Sequence, residues 1–138
     1  EAEILTATTG FFAFADLKQF LLLSFPGMEP FQCLQSIEKP DVVFTLLDPL
    51  VFLPEYRVEI PEEVVKELQI ENLEKVRQLV IVTIPSGKAE KMTANLLAPI
   101  VINLESRKLK QVVLTAPEYH TRHSILEILE KGLKTDTG

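Results

Sequence analysis

Cysteine occurs once in the 138 residues, tryptophan not at all and histidine twice. With Cys33 alone, neither an internal disulfide nor a cysteine-based zinc site is available, and a reducing cytoplasm is the expected setting. Its neighbours Phe31, Leu34 and Ile37 mark Cys33 as a small core or strand residue rather than a nucleophile. Long hydrophobic runs are missing too: stretches such as Phe20–Leu23 and Leu79–Val82 fall far short of a membrane span, so a soluble protein is expected. No basic stretch leads into a hydrophobic one at the N-terminus, and no secretion signal is expected. Excess positive charge is also absent. A formal net charge of −6 argues against nucleic acid as a direct ligand, because phosphate binding requires clustered lysine or arginine. A basic protein partner suits the chain better.

Most of the acidity lies between Glu55 and Glu74, where Glu55, Glu59, Glu62, Glu63, Glu67, Glu71 and Glu74 face only Arg57 and Lys66, a local balance of −5. Around this segment, strand signals dominate: short apolar or alternating stretches are separated by proline, glycine and aspartate. Ile4–Thr8, Gln19–Phe25, Phe31–Ile37 and Val42–Leu47 read as strands, and Leu50–Leu53, between Pro49 and Pro54, as a short edge piece at most. Arg77–Ile84 is an almost continuous apolar run ended by Pro85, which predicts a strand covered on both faces at the centre of the core. Leu109–Thr115 reads as the return strand of a hairpin turning at Glu105–Lys108. Pro61 followed by Glu62 and Glu63 predicts a helix start, with Val64, Val65 and Leu68 on its buried face and Ile70 packing down at its end. A further short helical turn is expected at Asn72–Val76. A second helix is expected over Thr121–Lys131, with Ile125, Ile128, Leu129 and Leu133 in one stripe and Gly132 as a stop. These elements predict a mainly β fold, an antiparallel β-barrel or rolled sheet with two short helices. One domain over residues 1–133 and a disordered tail at 134–138 are expected, with a monomer as the expected state.

The chain offers little chemistry. His120 and His123 have a spacing compatible with a metal, yet lack cysteine or acidic company beyond Glu118, and read better as surface or capping groups. Thr83 and Ser86 carry hydroxyls without a nucleophile elbow or a phosphate-cradling loop. Asp48 and Glu55, beside proline turns, read as caps of backbone amides rather than as a catalytic pair. Phe11, Phe12 and Phe14 read as core before binding patch. A small hydrolase would need a paired nucleophile or acid that the sequence does not supply. No enzyme activity, cofactor or metal is expected.

The segment Met92–Asn103 joins a polar turn, a bare amide and the apolar run Leu96, Leu97, Ile100, Val101 and Ile102. Pro99 interrupts it, so a bulged or edge strand is predicted, and open edges are places where partners add. Taken with Phe31–Phe44, Asp48-Pro49 with Pro54, Gln111–Leu114 and Tyr119–His123, this segment resembles the FliW family of bacterial flagellar assembly factors along nearly the whole chain. The resemblance implies a cytoplasmic, non-enzymatic, β-barrel-like protein that binds flagellin. On release it would bind the translational regulator CsrA and antagonise its repression of flagellin mRNA translation. A dedicated flagellin chaperone without a translational role is the alternative. Candidate partner-binding residues are Met92, Thr93, Asn95 and Leu96, for an apolar and edge-strand contact with flagellin. Glu55, Glu59, Glu62, Glu63 and Glu67 are the candidates for a basic partner such as CsrA, where charge complementarity would speed encounter. No direct contact with nucleic acid or membrane is expected.

Overall fold

The computed structural model describes residues 4–9, 14 and 16–137, with the side chains of 132–137 left aside. Among these residues run strands β1 (Ile4–Ala7), β2 (Gln19–Leu23), β3 (Gln32–Ser36), β4 (Val43–Leu47), β5 (Val76–Thr83), β6 (Thr93–Ala94), β7 (Ile100–Asn103), β8 (Lys108–Gln111) and β9 (His123–Ser124), with helices α1 (Glu62–Glu67) and α2 (Ile125–Thr137). The strand order is β4-β3-β2-β1-β8-β7-β5, and a β4–β5 pairing closes these seven into a barrel. β6 and β9 continue from β5 as an outer flap. All pairings are antiparallel except β1 with β8. The fold is therefore the mainly β barrel that the strand pattern predicts.

Side-chain alternation along the strands divides the apolar residues into an interior and two outer layers. Ile100 and Ile102 of β7 join Leu5, Phe20, Leu34, Leu46, Leu79 and Leu109 inside the barrel. Val101, one step along β7, turns outward and packs under Val64 of α1 and Leu68 just past its end. On β5, Val80 and Val82 turn outward beneath Phe52, Tyr56, Leu96 and Ile125. Hence β5 and β7 are buried on both faces, as continuous apolar runs require, and each fully buried leucine contributes roughly 1.5–3 kcal/mol.

Helix α1 is short and is held by its ends. Glu62 and Glu63 sit in its first turn, where the helix dipole favours acids. At the other end Gln69 adopts φ 56°, the left-handed turn that closes a helix. The amides of Gln69 and Ile70 then donate to the carbonyls of Lys66 and Val65. Asn103, 1% exposed, completes the tie. Its Nδ2 donates to the carbonyls of Leu68 and Gln69 at 2.9 and 3.1 Å, its Oδ1 accepts from the Glu105 amide at 3.0 Å, and Ser106 Oγ donates to the Leu68 carbonyl at 2.7 Å. Asn103 thus ends β7 and also anchors α1 onto the barrel.

Several expectations give way to tertiary context. Leu50–Leu53 is not an edge strand: Pro49–Val51 forms a 3-10 turn capped by Asp48, whose carboxylate accepts from the Leu50 amide at 3.0 Å. Met92–Asn103 is not one strand, because β6 and β7 are separate and an excursion through Asn95–Pro99 lies between them. The second helix starts at Ile125, not Thr121, since His123 and Ser124 are taken up as β9. It also runs through Gly132 instead of stopping there. Ile125 and Ile128 of the expected stripe pack inward while Leu129 is exposed, and Leu133 lies outside the described side chains. Phe11 and Phe12 lie outside the described residues, whereas Phe14 packs against the barrel interior.

Candidate functional site

Two regions bear on function: the junction that receives residues 92–98, and a groove beside the acidic segment. At the junction, Tyr56 is buried and its hydroxyl donates to the Leu96 carbonyl at 2.7 Å. The Tyr119 ring packs edge-on against it at a centroid distance of 4.9 Å. Burial, and secondarily Tyr119, drives the Tyr56 hydroxyl far above its ordinary pKa, so it stays a neutral donor. The His120 carbonyl accepts from the amides of both Leu96 and Leu97 at 3.2 Å, and Asn95 Oδ1 accepts from the Ala98 amide at 3.0 Å. The excursion between β6 and β7 is therefore pinned by Tyr56 and His120 and braced from within by Asn95.

This arrangement corrects the reading of Met92–Leu96 as an open edge. β6 pairs with β5 on one side and with β9 on the other, and the Ile125 amide donates to the Met92 carbonyl. Leu96 is 0% exposed and belongs to the core, so it is not a surface residue. Met92, Thr93 and Asn95 are half-buried and offer side chains only.

His120 and His123 stack at 3.7 Å. The His120 amide donates to His123 Nε2 at 2.9 Å and the Arg122 amide to His120 Nδ1 at 3.2 Å. These nitrogens accept backbone protons, which gives the pair a turn-capping role. Burial and the neighbouring His120 lower the pKa of His123, in keeping with its acceptor role. Among the described residues, no group of three or more potential ligands is gathered for a metal ion.

The acidic segment is presented outward with one exception. Glu55, Glu59, Glu62 and Glu63 are exposed. Glu67 instead turns to the barrel, where Lys110 Nζ lies 3.1 Å from Oε1. A hydrogen bond from Thr8 and then Lys110 hold its carboxyl below the usual range. Glu67 is thus a structural tether, a correction to its grouping with the exposed acids. Beside Glu55 and Glu59 opens a groove of about 650 Å³, walled by Glu55, Arg57, Glu59, Ile60 and Pro61 and by Val112–Ala116 with Glu118 and Tyr119. Burial, and then Glu118 and Glu55, raise the Tyr119 hydroxyl pKa against the opposing Arg57. Sequence reasoning did not place Tyr56, Tyr119, Glu118 or the 112–116 wall among the candidate partner-binding residues. The available signal was that these tyrosines are the only two in the chain, and a buried tyrosine hydroxyl usually finds a partner.

These features define a class: a small closed β-barrel wrapped on two walls by connecting segments, with an acid-rimmed groove where they meet. The family described as FliW protein matches residues 1–125, and the chain belongs to that family. A flagellar assembly factor FliW of Thermoanaerobacter pseudethanolicus is 45% identical over 120 residues, covering 86% of this chain and 79% of that protein. One from Thermosipho africanus is 41% identical over 127 residues, 92% of this chain and 88% of that protein. A crystal structure of the flagellar assembly factor FliW superposes with a TM-score of 0.81 at 37% identity, covering 88% of this chain and 84% of that one. No described helix is long and apolar enough to cross a membrane.

Proposed function

We propose that this chain is a cytoplasmic flagellar assembly factor that works by exchanging partners. It binds flagellin and, when flagellin is withdrawn, binds CsrA and relieves repression of flagellin mRNA translation. The observation that carries this reading is the outward presentation of Glu55, Glu59, Glu62 and Glu63 beside an acid-rimmed groove in a chain of the FliW family. An RNA-binding regulator must present basic surface, and complementary charge accelerates encounter and penalises wrong partners. The same acids repel phosphate, so bound protein would disfavour RNA nearby without occupying its site. Met92, Thr93 and Asn95 contribute to flagellin binding through side chains, their backbone being already paired.

The test is a competition. Protein loaded with flagellin is mixed with purified CsrA, and the species are resolved by sizing. Mutual exclusion is expected: CsrA binds the free protein but not the flagellin-loaded species until flagellin is removed, with CsrA affinity falling as salt rises toward physiological strength. A stable ternary complex would sink the switch, and failure to bind CsrA at all would leave a flagellin chaperone.

A further inference from the structure

β7 and β8 pair with Ile100 opposite Gln111, and their ladder continues beyond both strands. The Val112 amide donates to the Pro99 carbonyl at 2.9 Å and the Leu114 amide to the Leu97 carbonyl at 2.8 Å. These bonds keep the β7–β8 register, so residues 112–115 form an extended arm paired along one edge. Successive residues of such an arm direct their N–H and C=O groups to opposite edges. Val113 and Thr115 therefore direct theirs away from 97–99. On that side β8 has β1 for a neighbour, and among the described residues the last bond between them runs from the Thr8 amide to the Leu109 carbonyl. Among the described residues, nothing pairs with the backbone groups of Val113 or Thr115. The Val113 side chain is 51% exposed.

The same arm lines the 650 Å³ groove opposite Glu55, Arg57, Glu59, Ile60 and Pro61. Glu55, Glu59 and Glu118 place three carboxylates on it, and the single guanidinium, that of Arg57, is engaged with the carbonyls of Pro54 and Tyr56. An open strand edge supplies affinity through the main chain, and the flanking pockets and charges select the incoming side chains. We propose that the Val113–Thr115 edge takes up an extended, basic peptide segment of a partner protein by strand addition. The segment's backbone bonds to Val113 and Thr115, and its cationic side chains lie against Glu55, Glu59 and Glu118. This mode does not depend on flagellin or CsrA being the partner.

The probe is a short blocked peptide of alternating lysine and valine, added to the full chain and followed by amide NMR. In the free protein the amides of Val113 and Thr115 should exchange quickly with solvent and that of Leu114 slowly. Bound peptide should shift the first two and slow their exchange. N-methylation of alternate peptide amides should weaken binding about tenfold, the loss of one or two net hydrogen bonds. Val113→Pro removes the edge donor without touching the bonds to 97–99 and should weaken binding similarly, whereas Val113→Thr should retain it. Joint replacement of Glu55, Glu59 and Glu118 by glutamine should flatten the salt dependence. A peptide of alternating glutamate and valine should fail to bind. No binding of the lysine peptide, equal binding of its N-methylated form, or shifts confined to another surface would overturn the proposal. The N-methylated peptide is read against the unaltered protein, so the outcome does not hang on the proline variant folding.

Discussion

Residues 93–94 and 112–115 are both short extended stretches, and their exposure is the reverse of what local sequence suggests. The first carries the proline-interrupted pattern of a sheet edge, yet β5 and β9 pair with it on both sides. The second reads as the ordinary return arm of a hairpin, yet among the described residues it is bonded along one side only. An edge is open or closed according to what a distant segment does. His123–Ser124 arrives to cover β6, while the described bonds between β1 and β8 end at Thr8.

The sharpest way to break this comparison is to delete one side chain beside the first stretch and one on the second. Leu96→Ala, beside β6, should cost about 2–5 kcal/mol because a filled core site becomes a cavity. Val113→Ala should change stability by less than about 0.5 kcal/mol. Paired urea titrations check both, and equal shifts in midpoint would erase the distinction. Next in size is Asn103→Ala, which strips hydrogen bonds from the end of α1 and from the Glu105 amide. A loss of about 2–3 kcal/mol is expected, together with faster hydrogen exchange in α1. Tyr56→Phe leaves the Leu96 carbonyl without its donor and should cost about 1–2 kcal/mol. Increased exchange at the Leu96 and Leu97 amides, with no change at Leu114, would sharpen the contrast between pinned and open stretches.

The smallest effect concerns pH. The Glu67 carboxyl is held below its ordinary pKa by Thr8 and Lys110. Its contribution to stability is therefore present above the unfolded carboxylate pKa and is lost as pH falls through the lower folded value. Glu67→Gln should cost less than about 1 kcal/mol near neutrality and make the acid limb of the stability curve shallower. Thermal melts from pH 7 down to pH 3 check this, and an unchanged acid limb would remove Glu67 from the tethering role.

Much of the barrel was legible because its cause is local. The uninterrupted run Leu79–Val82 requires burial on both faces wherever it sits, and Pro61 with Glu62 and Glu63 marks a helix start in any context. The junction was not legible, because its bonds join residues far apart in sequence, such as Tyr56 to Leu96 and Asn103 to Leu68. Glu67 looks like its acidic neighbours in sequence, and only the approach of Lys110 turns it inward. His123 and Ser124 read as part of a helix starting at Thr121 because nothing near them announces a partner strand.

By itself the sequence determined the family, the mainly β class, the two-faced central strand and the concentration of acid between Glu55 and Glu74. All of these follow from residue type, order and period, which act over a few residues. Only the tertiary structure decided which edges are paired, which acids face solvent, and that Leu96 is core while Val113 is surface. Pairing and burial are settled between segments that the chain brings together only on folding, and no local pattern records them.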